Sequence, residues 1–166
     1  MIEHPHLLLC YDGSEQATEA IRFAAALFPR GTQASVLYVW ESAAVPLSGG
    51  YGPLVMPPIP DDQEAARAAS VAEAGAEEAR ALGLDAEARS EEAQASAWQT
   101  IVDVADGEVD MIIMGTRGLS GLRSLLLGSC AHHVVQHARC PVLVVPDAEL
   151  GSARRRVARE HARVGT

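Results

Sequence analysis

Gly115, Gly118, Gly128 and Ser129 have the types and the spacing of a phosphate cradle, G-x2-G-x9-G-S, directly behind an apolar run. Glycines after a strand permit positive φ and let the backbone come close to a ligand. A helix opening at Gly128-Ser129 would point unpaired N–H groups and the positive end of its dipole at an anion. The Ser129 hydroxyl adds a donor, and Arg117 adds a fixed cation suited to phosphate oxygens. Two better-known phosphate motifs are excluded by inspection. Gly115-x2-Gly118-x2-Gly121 is not the dinucleotide G-x-G-x-x-G, and it does not follow the first strand. The P-loop needs a lysine, and all 13 basic residues of this chain are arginine. Schiff-base and lysine general-base chemistry are absent for the same reason.

Other residues have weaker cases. Asp12 ends the first apolar run in Tyr11-Asp12-Gly13-Ser14. A carboxylate there could accept from ribose hydroxyls or hold a magnesium ion; the alternative is an Asx-turn ahead of a helix. His133 and His137 stand four apart, a spacing that suits a metal on a helix, but no third ligand is evident. Both read as polar-face residues, so no metal site is expected. His132, near the expected phosphates, reads as a solvated helix position. Cys10, Cys130 and Cys140 form an odd set without a C-x-x-C pair, which fits reduced core thiols.

The elements that must position these residues alternate from end to end. Residues 6–11 (HLLLCY), 34–40 (ASVLYVW), 84–90, 109–114 (VDMIIM) and 141–145 (PVLVV) read as strands. The third of them alternates apolar and polar residues, the mark of a half-exposed strand near an edge. A helix capped by Ser14 buries Ala17, Ala20, Ile21, Ala24 and Phe28. An alanine-rich helix from Asp61 or Asp62 buries Ala65, Ala68, Ala69, Ala72, Ala76 and Ala79, and ends at Gly83. Ser96 and Gln99 make a capping box for a third helix bearing Trp98, Ile101, Val102 and Ala105. A fourth helix spans 127–138. Five prolines and three glycines between residues 41 and 60 exclude a regular element, so that stretch reads as a long loop.

Parallel strands need helical crossovers, right-handed in nearly all cases. The pattern therefore predicts a single α/β domain over residues 1–146, doubly wound, with a five-stranded parallel sheet in the order 3-2-1-4-5. Ligands of such sheets bind at the carboxyl ends of the strands, where the strand order switches. The glycine-rich segment and Asp12 are expected in that place.

Composition bounds the partners. The chain has 166 residues and a net charge of −9, so nucleic acid is a disfavoured partner. No apolar run approaches the roughly 20 residues that span a bilayer. The first residues lack a basic n-region, and the expectation is a cytoplasmic protein with no membrane partner. Residues 147–166 form an arginine-rich tail, five arginines against three acids.

Over residues 7–145 the sequence resembles the universal stress protein family, specifically its ATP-binding branch. The resemblance rests on Tyr11-Asp12-Gly13-Ser14, the V-L-Y-V run, M-G-T-R-G-L-S-G-L…L-L-G-S and C-P-V-L-V-V-P. It implies an adenine held near Cys10, Asp12 and Val39, phosphates held by Gly115, Arg117, Gly118, Gly128, Ser129 and Cys130, and Met114 among the nucleotide-binding residues. ATP with magnesium is the implied cofactor; AMP and cyclic AMP stay open, because base contacts through the backbone discriminate poorly. A homodimer paired through Val142, Leu143, Val144 and Val145 is implied as well, since exposed apolar edges invite pairing. The function implied is a regulatory, stress-response module. A slow ATPase and a nucleotide-free interaction protein are the alternatives. Tyr11 departs from the pattern, being bulky beside an adenine site.

Overall fold

Strands and helices alternate along the chain in a computed structural model that describes residues 5–41, 61–116 and 127–146. The order is β1 (Leu7–Cys10), α1 (Glu15–Leu27), β2 (Gln33–Trp40), α2 (Asp61–Ala81), β3 (Asp85–Glu92), α3 (Ala97–Ala105), β4 (Met111–Gly115), α4 (Ser129–His137) and β5 (Val142–Val145). All strand pairs are parallel, and the sheet runs β3-β2-β1-β4-β5. This is the doubly wound arrangement expected from the alternation. The long loop expected over 41–60 and the arginine-rich tail lie outside the described residues.

Strand alternation sorts the core onto the two faces of the sheet. Leu7, Leu9, Val36 and Ile113 pack with Ile21 and Ala24 of α1 and with Ala76 and Ala79 of α2. Leu8, Leu37, Ile112 and Met114 pack with Ile101 and Val104 of α3 and with Ala131 and Val134 of α4. The central strand β1 is apolar on both faces because helices cover both. At the rim, β3 reads D-A-E-A-R-S-E-E, with Asp85, Glu87 and Glu92 exposed and Arg89 and Glu91 half-buried.

Local chemistry sets the helix ends. The Asp12 carboxylate accepts from the Ser14 N–H at 3.0 Å, the Asx-turn alternative, while Gly13 takes φ +80°. Ser14 then accepts from the Ala17 N–H at 3.2 Å and caps α1. Ser14→Ala is expected to cost about 1 kcal/mol, which thermal denaturation should register as a fall of roughly 2–4 °C in Tm. Helix α2 closes in a Schellman motif: Gly83, at φ +101°, donates to Arg80 O, and Leu84 N–H reaches Ala79 O at 3.1 Å.

Three expectations need correction. On α2, Ala68, Ala72, Ala76 and Ala79 are buried, but Ala69 is exposed and Ala65 only half-buried. Gly75 joins the stripe instead, buried where an added Cβ would come within 2.8 Å of Val36 Cγ1. Ser96 does not make the capping box; its hydroxyl donates to Gln99 Oε1 at 2.6 Å, and α3 has no side-chain cap. His133 is half-buried and not a solvated polar-face residue, whereas His137 is exposed as expected. Both rings stack on Trp98 of α3, with centroids 5.1 and 4.8 Å away.

Candidate functional site

The strand order switches at β1, whose neighbours β2 and β4 lead to crossovers on opposite faces. There, at the carboxyl ends of β1, β2 and β4 and the start of α4, lies a cleft of about 500 Å3. Cys10, Asp12, Val39, Met114, Gly115, Gly128, Ser129 and Cys130 all line it. These are eight of the ten positions selected from the sequence. The other two, Arg117 and Gly118, lie outside the described residues.

The walls differ in chemistry. Leu37, Val39 and Met114 from the sheet and Ile101 from α3 make an apolar side. Such a wall suits a flat heteroaromatic ring. Asp12, Thr116 and Ser129 are polar. Helix α4 begins after Gly128, which adopts φ −68° and ψ 156° and offers no side-chain cap to the first turn. The leading N–H groups of α4 therefore have no intrahelical partner and no capping side chain from Gly128, and they favour an anion. Gly128 N–H itself is used, donating to Thr116 O at 2.7 Å. That bond fastens the start of α4 to the end of β4.

The thiols of the two cleft cysteines are both pushed upward from their ordinary range. Burial pushes the Cys10 thiol far above its ordinary range, with Cys130, Asp12 and Cys140 adding to the shift. Burial also raises Cys130, helped by the Asp12 carboxylate. Both stay protonated near neutrality and serve as small apolar wall atoms, not nucleophiles.

Tyr11 follows Cys10 but packs on the opposite face of the sheet, against the cluster under α1 and α2. Its ring lies over Gly75, where a Cβ would come within 2.7 Å of Tyr11 Cδ1 and 2.8 Å of Val36 Cγ1. The absence of a side chain at Gly75 thus accommodates a tyrosine next to the cleft. His132 is exposed and does not line the cleft.

Sequence reasoning missed Thr116 and Ile101. The alternation Ile112, Met114, Thr116 could have found the first, since it carries one face of β4 into the cleft. Nothing local marks Ile101, which reaches the cleft only because α3 packs beside β2. Among the described residues, no group of three or more His, Cys, Asp or Glu side chains could hold a metal ion.

The profile of the Universal stress protein family matches residues 4–146. A Thermus aquaticus protein, the universal stress protein in the QAH/OAS sulfhydrylase 3′ region, is 36% identical over 141 residues, covering 84% of this chain and 96% of its own. The chain belongs to the universal stress protein family. Its fold is that of other solved structures. The Methanocaldococcus jannaschii protein MJ0577 superposes with a TM-score of 0.68 at 23% identity, covering 88% of this chain and 98% of that one. A universal stress protein from Archaeoglobus fulgidus, solved in complex with dAMP, has a TM-score of 0.56 at 22% identity, covering 87% and 98%. An Arabidopsis thaliana member solved with AMP bound has a TM-score of 0.57 at 15% identity, covering 87% and 94%.

Proposed function

We propose that this universal stress protein binds an adenine nucleotide, ATP with magnesium, in the cleft between β1, β4 and α4, and acts as a homodimeric regulatory module of the cytoplasm. The observation that carries this reading is the meeting of an apolar wall, the Asp12 carboxylate and the uncapped start of α4 in one cleft. The base lies against Val39, Leu37 and Ile101. The ribose or the magnesium ion takes Asp12, and the phosphates take the N–H groups of Ser129 and Cys130. Gly115, Arg117 and Gly118 complete the cradle according to the motif. Neighbouring folds that carry dAMP and AMP support an adenine nucleotide as the ligand class.

Turnover is slow in this reading, because the sequence singles out no base to activate water. Fast phosphoryl transfer needs more positioning and charge stabilisation than that. The dimer is supported by β5, an edge strand with half-buried Val142, Leu143 and Val144. The exposed large hydrophobics Phe23, Leu27 and Val135 are on α1 and α4, the helices of the two faces that touch β5. Sedimentation at twice the chain mass is the matching observation.

Denaturing extraction of the purified protein, followed by chromatography of the supernatant, is expected to release an adenine nucleotide. Calorimetry of the emptied protein with ATP and magnesium is expected to give a saturable heat. No nucleotide and no heat would overturn the reading and favour a nucleotide-free interaction protein of the same fold.

A further inference from the structure

Charge is divided unevenly along the chain. Between residues 61 and 92, α2 and β3 carry ten acids against three arginines, a net of −7 within a chain of −9. Residues 147–166, which follow β5, carry five arginines against three acids, a net of +2. Far from the β1/β4 cleft, a groove of about 560 Å3 runs between α2 and β3. It is lined by the small residues Ala69, Ala72, Ala88 and Ser90, and by Glu73 and Glu77 of α2. Ala69, Ala88, Glu73 and Glu77 are exposed, and Glu73 uses one carboxylate oxygen on Arg80. Strand β3 is also an edge of the sheet, paired among the described residues with β2 alone.

We propose that the arginine-rich segment 153–163 of this same chain docks in the groove between α2 and β3. Charge, reach and the open edge each point to that occupant. The small lining residues leave room for arginine stems, which lie along apolar surface while their heads stay with charge. The planar guanidinium matches a carboxylate in a paired, charge-assisted contact, which Glu73 and Glu77 offer. All five strands are parallel, so β5 ends at the same end of the sheet as Ser90 and Glu92 of β3. The two strands stand at opposite edges, four spacings apart, or about 19 Å. Residues 146–153 span at most about 26–29 Å. Arg154 is therefore the first arginine that reaches the groove, with Arg155, Arg156 and Arg159 behind it. An open edge strand is a template for another chain, and native sheets cover or charge such edges. Seated here, the tail covers the β3 edge and leaves β5 as the uncovered one.

Trypsin tests this on the folded, full-length protein, because all 13 basic residues are arginine and mass identifies each cut. Cutting after Arg154, Arg155, Arg156, Arg159 and Arg163 is compared with cutting of a synthetic peptide of residues 147–166. The tail is expected to be cut about tenfold more slowly than the peptide at low salt, a ratio that tracks the undocked population. That protection should vanish near 1 M salt, where charges are screened beyond about 3 Å. Glu73→Gln combined with Glu77→Gln is expected to restore the peptide's rate in a folded protein, since exposed ion pairs contribute little to stability. Glu15→Gln combined with Asp103→Asn, exposed acids of α1 and α3, is expected to keep the parent's protection. A parent tail cut as fast as the peptide would overturn the proposal. Protection that survives the loss of Glu73 and Glu77 would place the tail elsewhere, and equal loss in both double variants would reduce it to a general charge effect; each overturns it too. Protection that fades on dilution would give the groove to the tail of a second copy, and docking within one chain would be wrong.

Discussion

Gly128→Val is expected to weaken ATP binding by at least about 100-fold, or about 2.7 kcal/mol, while the protein stays folded. Gly128 is the residue before α4, with φ −68° and ψ 156°. Valine adopts those angles without strain. The bond from the residue-128 N–H to Thr116 O survives the change, so the start of α4 keeps its place. The new isopropyl group is added at a residue that lines the cleft, next to the N–H groups meant for the phosphates. The structural cost is that of a poor N-cap residue, about 1 kcal/mol, or roughly 2–4 °C in Tm. Calorimetry and circular dichroism on one sample separate the two effects. A folded variant with parental affinity would show that the phosphates lie elsewhere.

Gly75→Val is expected to destabilise the protein by about 1–3 kcal/mol, the usual cost of forcing extra methyl groups into a filled core. On an exposed helix the same change would be mildly favourable, since glycine is the poorer helix former. Here α2 is pressed against the sheet, and the first added carbon would meet the Tyr11 ring at 2.7 Å and Val36 at 2.8 Å. Overpacking outweighs propensity because two neighbours, one of them a β-branched core residue at 0% exposure, must both move. Urea denaturation measures the loss as a lower midpoint at an unchanged slope. The cause can be isolated. Tyr11→Ala in the Gly75→Val background should lose less stability than the two single changes summed, because removing the ring removes the clash. Strict additivity would show that Tyr11 is not the obstacle.

Much of the architecture was legible because its signals are local. Apolar runs of strand length, separated by helical periods, specify parallel crossovers whatever lies around them, and the β3-β2-β1-β4-β5 order followed. Ser14 and Gly83 were readable as helix ends because each acts on backbone groups within five residues of itself. Local reasoning failed where a side chain takes a partner that the residue pattern does not specify. The hydroxyl of Ser96 prefers the Gln99 side chain to the backbone N–H that a capping box would use. His133 looked solvated as a polar residue of α4, yet it is half-buried with its ring stacked on Trp98 of a neighbouring helix; the exposed His137 stacks on the same ring. Ala69 looked buried by its spacing, but Ala68 and Ala72 take the buried positions of that turn, and Gly75 takes one further along.

The sequence by itself determined the alternation of strands and helices, the glycine–serine segment behind the fourth strand, and the absence of any lysine to serve it. These depend on residue type and on spacing over a few turns. Only the tertiary structure decided that the Tyr11 ring packs on Gly75, that Ile101 enters the cleft, and that the buried Thr116 hydroxyl has no partner among the described residues. Each of those facts depends on which atoms from distant segments come within contact distance. Packing fixes that, and no local period encodes it.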